Sequence, residues 1–289
     1  MKPVLLLALT AWTCSTHAQG IGGSLLFSTD SDANDIQRQT LFVRQATADG
    51  LEIGASAAHT AFRQARRHSS RFALQHEFSG EAWSSRSDLG VETLGARHHL
   101  TGELGLDYRR GQWTWSLGAE RSLVDSREGI ERGLNARTLH AIADWSAAAR
   151  GATLVLSRTA YSDRNDRPAA RVRLWHNLCA DCGVHALVAA ERYTNTRPYT
   201  GNYFSPERYL RVMAGAGLRQ RFDGGTFAAR ALFGRQRVDG VERPSSQLQL
   251  GFDSPPAPGG WRWQAALVRD QKQPGYAYLQ GTISAYLRF

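Results

Sequence analysis

Apolar and polar residues alternate one by one along most of this chain. The last nine residues, GTISAYLRF, show the pattern: Gly281, Ile283, Ala285, Leu287 and Phe289 share one side of an extended strand, and Thr282, Ser284, Tyr286 and Arg288 share the other. A period of two describes strands with one hidden face, whereas amphipathic helices repeat their apolar residues every three to four positions. Beyond the first residues no apolar run approaches the ~20 positions of a membrane-spanning helix. The mean hydropathy of -0.40 would ordinarily signal a soluble protein. It decides nothing here, because a strand with one lipid face and one wet face averages to neutral. With 28 Gly, 9 Pro and 8 Trp, the composition favours an all-β domain, either a sandwich or a barrel.

The opening MKPVLLLALTAWTCSTHAQG places Lys2 before a short apolar run that ends in small residues near Thr16 and Ala18. That is the pattern of a Sec signal peptide, residues 1–18, cut after Ala18. Residues 19–289 then form one domain. Cys14 suits lipidation poorly, with Trp12 and Thr13 before it. Two cysteines remain, Cys179 and Cys182, in NLCADCGVH. No second pair follows to complete a zinc site. Outside the inner membrane the pair reads as a disulfide that pins a turn.

From Gly22 onward the alternating segments are separated by breaks of two kinds. Short ones fall at TADG (47–50), RRGQ (109–112), AARG (148–151), CADCG (179–183), DGG (223–225) and PPAPGG (255–260). Between them lie longer polar breaks: STDSDAND (28–35), RQARRHSS (63–70), VDSREGIERG (124–133), SDRNDR (162–167), TNTRPYTGNYFSPE (194–207), VDGVERPSS (238–246) and DQKQPG (270–275). Short turns on one side and longer loops on the other are the layout of an outer-membrane barrel. The count is about sixteen strands. Fourteen also fits, because residues 71–99 show no clean turn signal.

The aromatic residues separate a barrel from a sandwich. Tyr108 and Trp113 flank RRGQ, Trp145 precedes AARG, Phe222 and Phe227 flank DGG, and Phe252 and Trp261 flank PPAPGG. Each shares the phase of its strand's apolar residues, which places a ring of aromatics on the outer face at the short-turn end. An interfacial girdle has that arrangement, since amphipathic rings favour the headgroup level. Mid-strand positions carry Ala, Gly, Val and Leu instead of the large side chains of a sandwich core. The expected fold is a transmembrane antiparallel β-barrel in the bacterial outer membrane, with its short turns in the periplasm. Phe289 and Leu287 on the last strand read as its assembly signal, directed to the barrel-assembly machinery.

The opposite phase points into the lumen and is rich in arginine: Arg171, Arg173, Arg211, Arg219, Arg221, Arg230, Arg262 and Arg288, with acids such as Glu191. Only Lys2 and Lys272 among 35 basic residues are lysine, and the net charge is +9. Guanidinium forks hold carboxylate and phosphate bidentately. These arginines can pair with acids across strands and fill the barrel, or stay unpaired and form an anion-attracting passage. Nucleic acid is excluded as a partner for an exported chain. No GxSxG, HExxH or phosphate-binding glycine loop is present. The histidines at 98, 99, 140 and 185 have no triad-like spacing. No catalytic residue, metal site or cofactor is therefore expected.

At GNYFSPERYLRVMAGAGLRQRF (201–222) the chain resembles the C-terminal barrels of exopolysaccharide-export proteins, those of the cellulose-export subunit and the poly-N-acetylglucosamine export porin, and the small YaiO-type barrels. Tyr203, Phe204, Ser205, Pro206, Arg208 and Tyr209 match their Y-[FY]-S-P-x-R-Y pattern. STDSDAND is similar to their DSDG first loop, with Ala33 in place of glycine. The resemblance implies a pore for export or passage of a polysaccharide or other polar, anionic solute. It also implies a periplasmic helical-repeat scaffold and a polysaccharide synthase as partners, here separate from the barrel chain. Read by themselves, Tyr199, Tyr203, Phe204 and Tyr209 offer flat faces for sugar rings at the outer mouth, or pack into a self-contained loop. A closed structural or assembly barrel is the alternative function, with an outer-membrane hydrolase as a third.

Overall fold

The computed structural model describes residues 19–289 except 33, 49, 256–259 and 274–275. Residues 1–18, expected from sequence to be a signal peptide, and Ala33 lie outside the described residues. Sixteen strands follow in order: β1 (Gln19–Asp30), β2 (Ile36–Ala48), β3 (Leu51–Phe62), β4 (Arg67–Ser79), β5 (Trp83–Leu94), β6 (Arg97–Arg110), β7 (Trp113–Leu123), β8 (Asn135–Ser146), β9 (Arg150–Tyr161), β10 (Asp166–Cys179), β11 (Val184–Thr194), β12 (Arg208–Phe222), β13 (Gly225–Val238), β14 (Val241–Asp253), β15 (Trp261–Gln273) and β16 (Tyr276–Arg288). A six-residue helix, α1 (Arg127–Arg132), sits between β7 and β8. Each strand pairs antiparallel with the next, and β16 returns to β1, so the sheet closes on itself. At the closing seam Leu287 stands opposite Ile21, and Tyr278 opposite Asp30.

Sixteen, not fourteen, is the strand number. The ambiguous stretch 71–99 contains the turn 80–82 between β4 and β5, and a tight turn at Gly95, whose φ of 61° is left-handed. Several breaks read as long loops are strand instead. Only 63–66 remain outside strand in RQARRHSS. In VDGVERPSS the connection shrinks to Asp239 and Gly240, with φ of 50° and 87°, the positive values of a two-residue hairpin turn. DQKQPG likewise leaves Asp270 inside β15. Polar composition marks where a strand leaves the lipid, but the ladder of backbone hydrogen bonds continues past that level.

The outer face carries the apolar residues. Leu74, Leu139 and Phe233 are 64%, 64% and 66% exposed, which a water-facing surface repeated around a whole barrel could not sustain. At the short-turn rim the rings meet in pairs: Trp83 with Tyr108 at 4.5 Å, Trp113 with Trp115 at 5.3 Å, and Phe222 with Phe252 at 6.3 Å. Leu287 belongs to this face, opposite Ile21 and Trp261. Phe289 follows the end of β16 and is half exposed at the rim. Inside the seam, Tyr286 lies flat over Gly20 and Phe42 over Gly22; a Cβ at either glycine would collide with the ring. The two rings stack at 5.9 Å.

Candidate functional site: the lumen and its outer mouth

The period of two brings all the arginines expected in the lumen to the inner face, and the structure divides them into two groups. The first is matched with acids. Arg211 of β12 donates to Asp270 Oδ1 at 2.7 Å and to Glu191 Oε2 at 3.1 Å, and Arg171 Nε reaches Glu191 Oε1 at 2.9 Å. Arg262 grips Asp253 through both carboxylate oxygens, at 3.1 and 3.0 Å. Arg211 is buried in this network, together with Tyr209 and Gln236. The second group, Arg173, Arg219, Arg221 and Arg230, has no ion pair among the described residues. It rises from Arg221, one residue short of the periplasmic end of β12, to Arg173 halfway along β10. Arg230 feels Arg173 and Arg219 as like charges.

At the same rim, Cys179 and Cys182 form a disulfide across the β10–β11 turn, with Cα atoms 5.5 Å apart. A cavity of about 380 Å³ there is lined by Asp181, Arg219 and Arg221. The wall from β2 to β7 is different in character. Arg71 pairs with Asp88, Gln75 donates to Asp88 at 2.9 Å, and Ser69 donates to Glu92 at 2.6 Å. Arg71, Gln75, Asp88 and Glu92, with Arg38, Glu120 and Asp125, line a cavity of about 280 Å³. Asp125 lies beyond the end of β7 with its side chain on the cavity, and the enclosing wall, then Asp30 and Glu120, hold its carboxyl above the usual range against a backbone hydrogen bond and the pull of Arg38.

Two segments close over the outer mouth. Ser126 caps α1, its Oγ accepting from Gly129 N at 3.1 Å, and Gly133 ends the helix at a φ of 68°. Ile130, 2% exposed, packs against Ile36, Phe62 and Leu94, which face inward from β2, β3 and β5. The second segment, 195–207, is fastened to the far wall. Tyr203 stacks on Tyr161 at 4.2 Å, donates to Asp163 Oδ1 at 3.0 Å and accepts from Asn165 Nδ2 at 3.0 Å. Burial pushes the Tyr203 phenol well above its ordinary range, so it stays protonated as a donor. The Arg167 guanidinium lies over the rings of Tyr161, Tyr193 and Tyr203 at 5.2, 4.8 and 5.8 Å.

The segments meet at Asn202. Ser126 Oγ donates to its carbonyl and Arg132 Nη1 donates to its Oδ1 at 2.6 Å, while its own Nδ2 donates to Asp163 Oδ2 at 3.0 Å. In the ring of strands β3 and β11 stand eight places apart, on opposite sides. α1 enters from the β7–β8 connection and leans on β2, β3 and β5, 195–207 enters from the β11–β12 connection, and Asn202 joins the two at the mouth.

Of the four rings proposed from sequence for sugar contact, three are engaged in packing. Tyr209 is a residue of β12, not of the loop; it is 2% exposed and stacks on Tyr193 at 4.5 Å. Phe204 meets Tyr209 edge-on at 6.2 Å, and Tyr203 is held as described. Tyr199 alone among them is open, 69% exposed, with Asp239 beside its phenol raising the pKa. Arg167, Asn165 and Asn202 escaped the sequence reading. Their signal was an excess of Asn and Arg in two polar breaks, SDRNDR and TNTRPYTGNYFSPE, whose contact with each other no sequence spacing reveals. Among the described residues no group of three metal-ligating side chains occurs, and His185 lies over Gly217 in the lumen wall.

A closed sixteen-stranded barrel with an apolar outer face, an aromatic girdle at one rim and a charged interior is a transmembrane barrel of the bacterial outer-membrane type. Solved structures share this fold. A bacterial polysaccharide outer membrane secretin superposes with a TM-score of 0.79 at 15% identity, covering 94% of this chain and 98% of that one. OprD of Pseudomonas aeruginosa gives 0.52 at 11% identity, over 95% and 96%. CdiB from Acinetobacter baumannii gives 0.54 at 10% identity, over 94% of this chain and 60% of that one. No family model and no curated protein matches the sequence.

Proposed function

We propose that this barrel is an outer-membrane pore for a polysaccharide or another polar, anionic solute, with no catalysis of its own. The ladder Arg221, Arg219, Arg230 and Arg173 carries the reading. A barrel filled only for stability would match its inward charges, as happens at Arg211, Arg171 and Arg262. Four unmatched guanidinium groups along one wall instead lower the energy of an anion moving from the periplasmic rim to mid-lumen. The fold shared with a polysaccharide secretin favours a saccharide polymer as that solute, and Tyr199 is an open ring for it to leave past.

The remaining partners follow from this reading. The assembly machinery would take the C-terminal strand with Leu287 and Phe289, and a periplasmic scaffold and a synthase would deliver the polymer. The joined loops at Asn202 favour a second reading, a sealed structural barrel. Planar-bilayer recording separates the two. The full chain should conduct anions over cations, and Arg173, Arg219, Arg221 and Arg230 changed together to Gln should abolish that preference. A barrel that stays closed after Asn202→Ala, or a conductance indifferent to the four arginines, would sink the pore reading.

A further inference from the structure

The lipid face of the barrel is chemically different at its two ends. Its periplasmic end carries the aromatic girdle, and the guanidinium of Arg150 there rests over Trp145 at 5.8 Å. The outer end carries arginines that point away from the lumen. Arg137 lies two residues inside the outer end of β8, Arg192 two inside that of β11, and Arg269 four inside that of β15. None of the three has an acidic partner among the described residues. Arg235 and Arg237 of β13 share the single carboxylate of Glu242, at 2.6 and 3.5 Å.

These are not side chains of a loop standing clear of the membrane. Arg192 and Arg237 flank Leu210 across the ladder, and Arg235 stands opposite Val212. Leu210, Val212 and Phe233 are exposed apolar residues at the same edge. The surface thus passes from acyl-chain chemistry to an excess of guanidinium within one or two residues. A charge on the lipid face is unfavourable unless a headgroup of opposite sign meets it. Arginine pairs bidentately with phosphate in particular.

We infer that the outer end of β11–β13, extended by Arg137 and Arg269, binds the phosphorylated glucosamine headgroup of an outer-leaflet glycolipid, lipid A. Arg192 and Arg237 take phosphate oxygens, and Leu210, Val212 and Phe233 take the acyl chains. Two strand spacings, about 10 Å, separate Arg192 from Arg237, a span that suits a headgroup with a phosphate at each end better than a single phosphodiester.

The test uses the full chain in detergent, exchanged free of co-purified lipid and then offered bis-phosphorylated lipid A, its dephosphorylated form, or phosphatidylglycerol in mixed micelles. Native mass spectrometry counts the lipid retained. Wild-type protein should keep about tenfold more bis-phosphorylated lipid A than either competitor. R192Q/R235Q/R237Q should lose about fivefold of that retention, and Arg150→Gln, on the periplasmic side of the same face, should stay within about twofold. Equal retention of lipid A and phosphatidylglycerol by the wild type would reduce the belt to general attraction for anionic lipid and overturn the proposal, as would an undiminished signal from the triple variant. If that variant does not fold, the wild-type comparison of phosphorylated with dephosphorylated lipid A decides the matter alone.

Discussion

Arg211 stands in the lumen wall as the cation shared by Glu191 and Asp270. Alternation along RYLRVMAGAG fixed its side as inward, because a strand has only two faces. Its partners, Glu191 on the adjacent strand and Asp270 three strands away, depend on registers that only the turns set. Arg211→Ala leaves two carboxylates without their shared cation, so unfolding in urea, followed by loss of the folded band on unheated gels, should reveal a loss of about 3 kcal/mol. Arg221→Ala, at the solvent-facing end of the unmatched ladder, should cost well under about 1 kcal/mol in the same assay, so the two arginines separate by stability alone. Tyr209 is expected from sequence in the outer loop. It stands beside a loop motif, but Arg208 already pairs with Thr194, so the ring belongs to the wall.

At the scale of elements, the sequence was legible wherever a turn is short and flanked by rings, as at RRGQ and DGG. It was poorly legible at the outer side, where polar residues occur in strand and loop alike. Helix α1 is too short for a period to show, and only Ser126 and Gly133, its two caps, mark it. The union of α1 with 195–207 could not be read at all, since it joins segments about 70 residues apart that meet only once the barrel has closed. Asn202→Ala removes the side-chain bonds to Arg132 and Asp163 while leaving the backbone of the loop in place. Each lost bond contributes about 1 kcal/mol, so single-channel records should show openings roughly thirtyfold more frequent than in the wild type. Arg167→Met should act in the same direction by releasing the stacked tyrosines, and unchanged opening in both variants would mean that the segments do not obstruct the path.

For the molecule as a whole, a count near sixteen, with fourteen still open, followed from punctuation, and the lipid face from where the tryptophans stand. What sequence could not supply was the division of inner charge into matched and unmatched sets, which is a property of the closed ring rather than of any strand. Removal of Phe289 should lower the amount of folded, heat-modifiable barrel in outer-membrane fractions by several-fold. Removal of Gly240, in the outer turn between β13 and β14, should lower it less. Equal losses would show that the terminal ring has no special part in assembly.

The seam between β1 and β16 brings Gln19 and Arg288 to the same rim, on neighbouring strands. The ring can therefore be cut elsewhere. A circular permutant, with the old termini linked and new ones opened between Asp239 and Gly240, keeps every strand pair but ends on a different strand. If such a chain refolds in detergent yet fails to insert in cells, the information that shapes the barrel and the information that delivers it to the membrane are carried by different parts of one sequence.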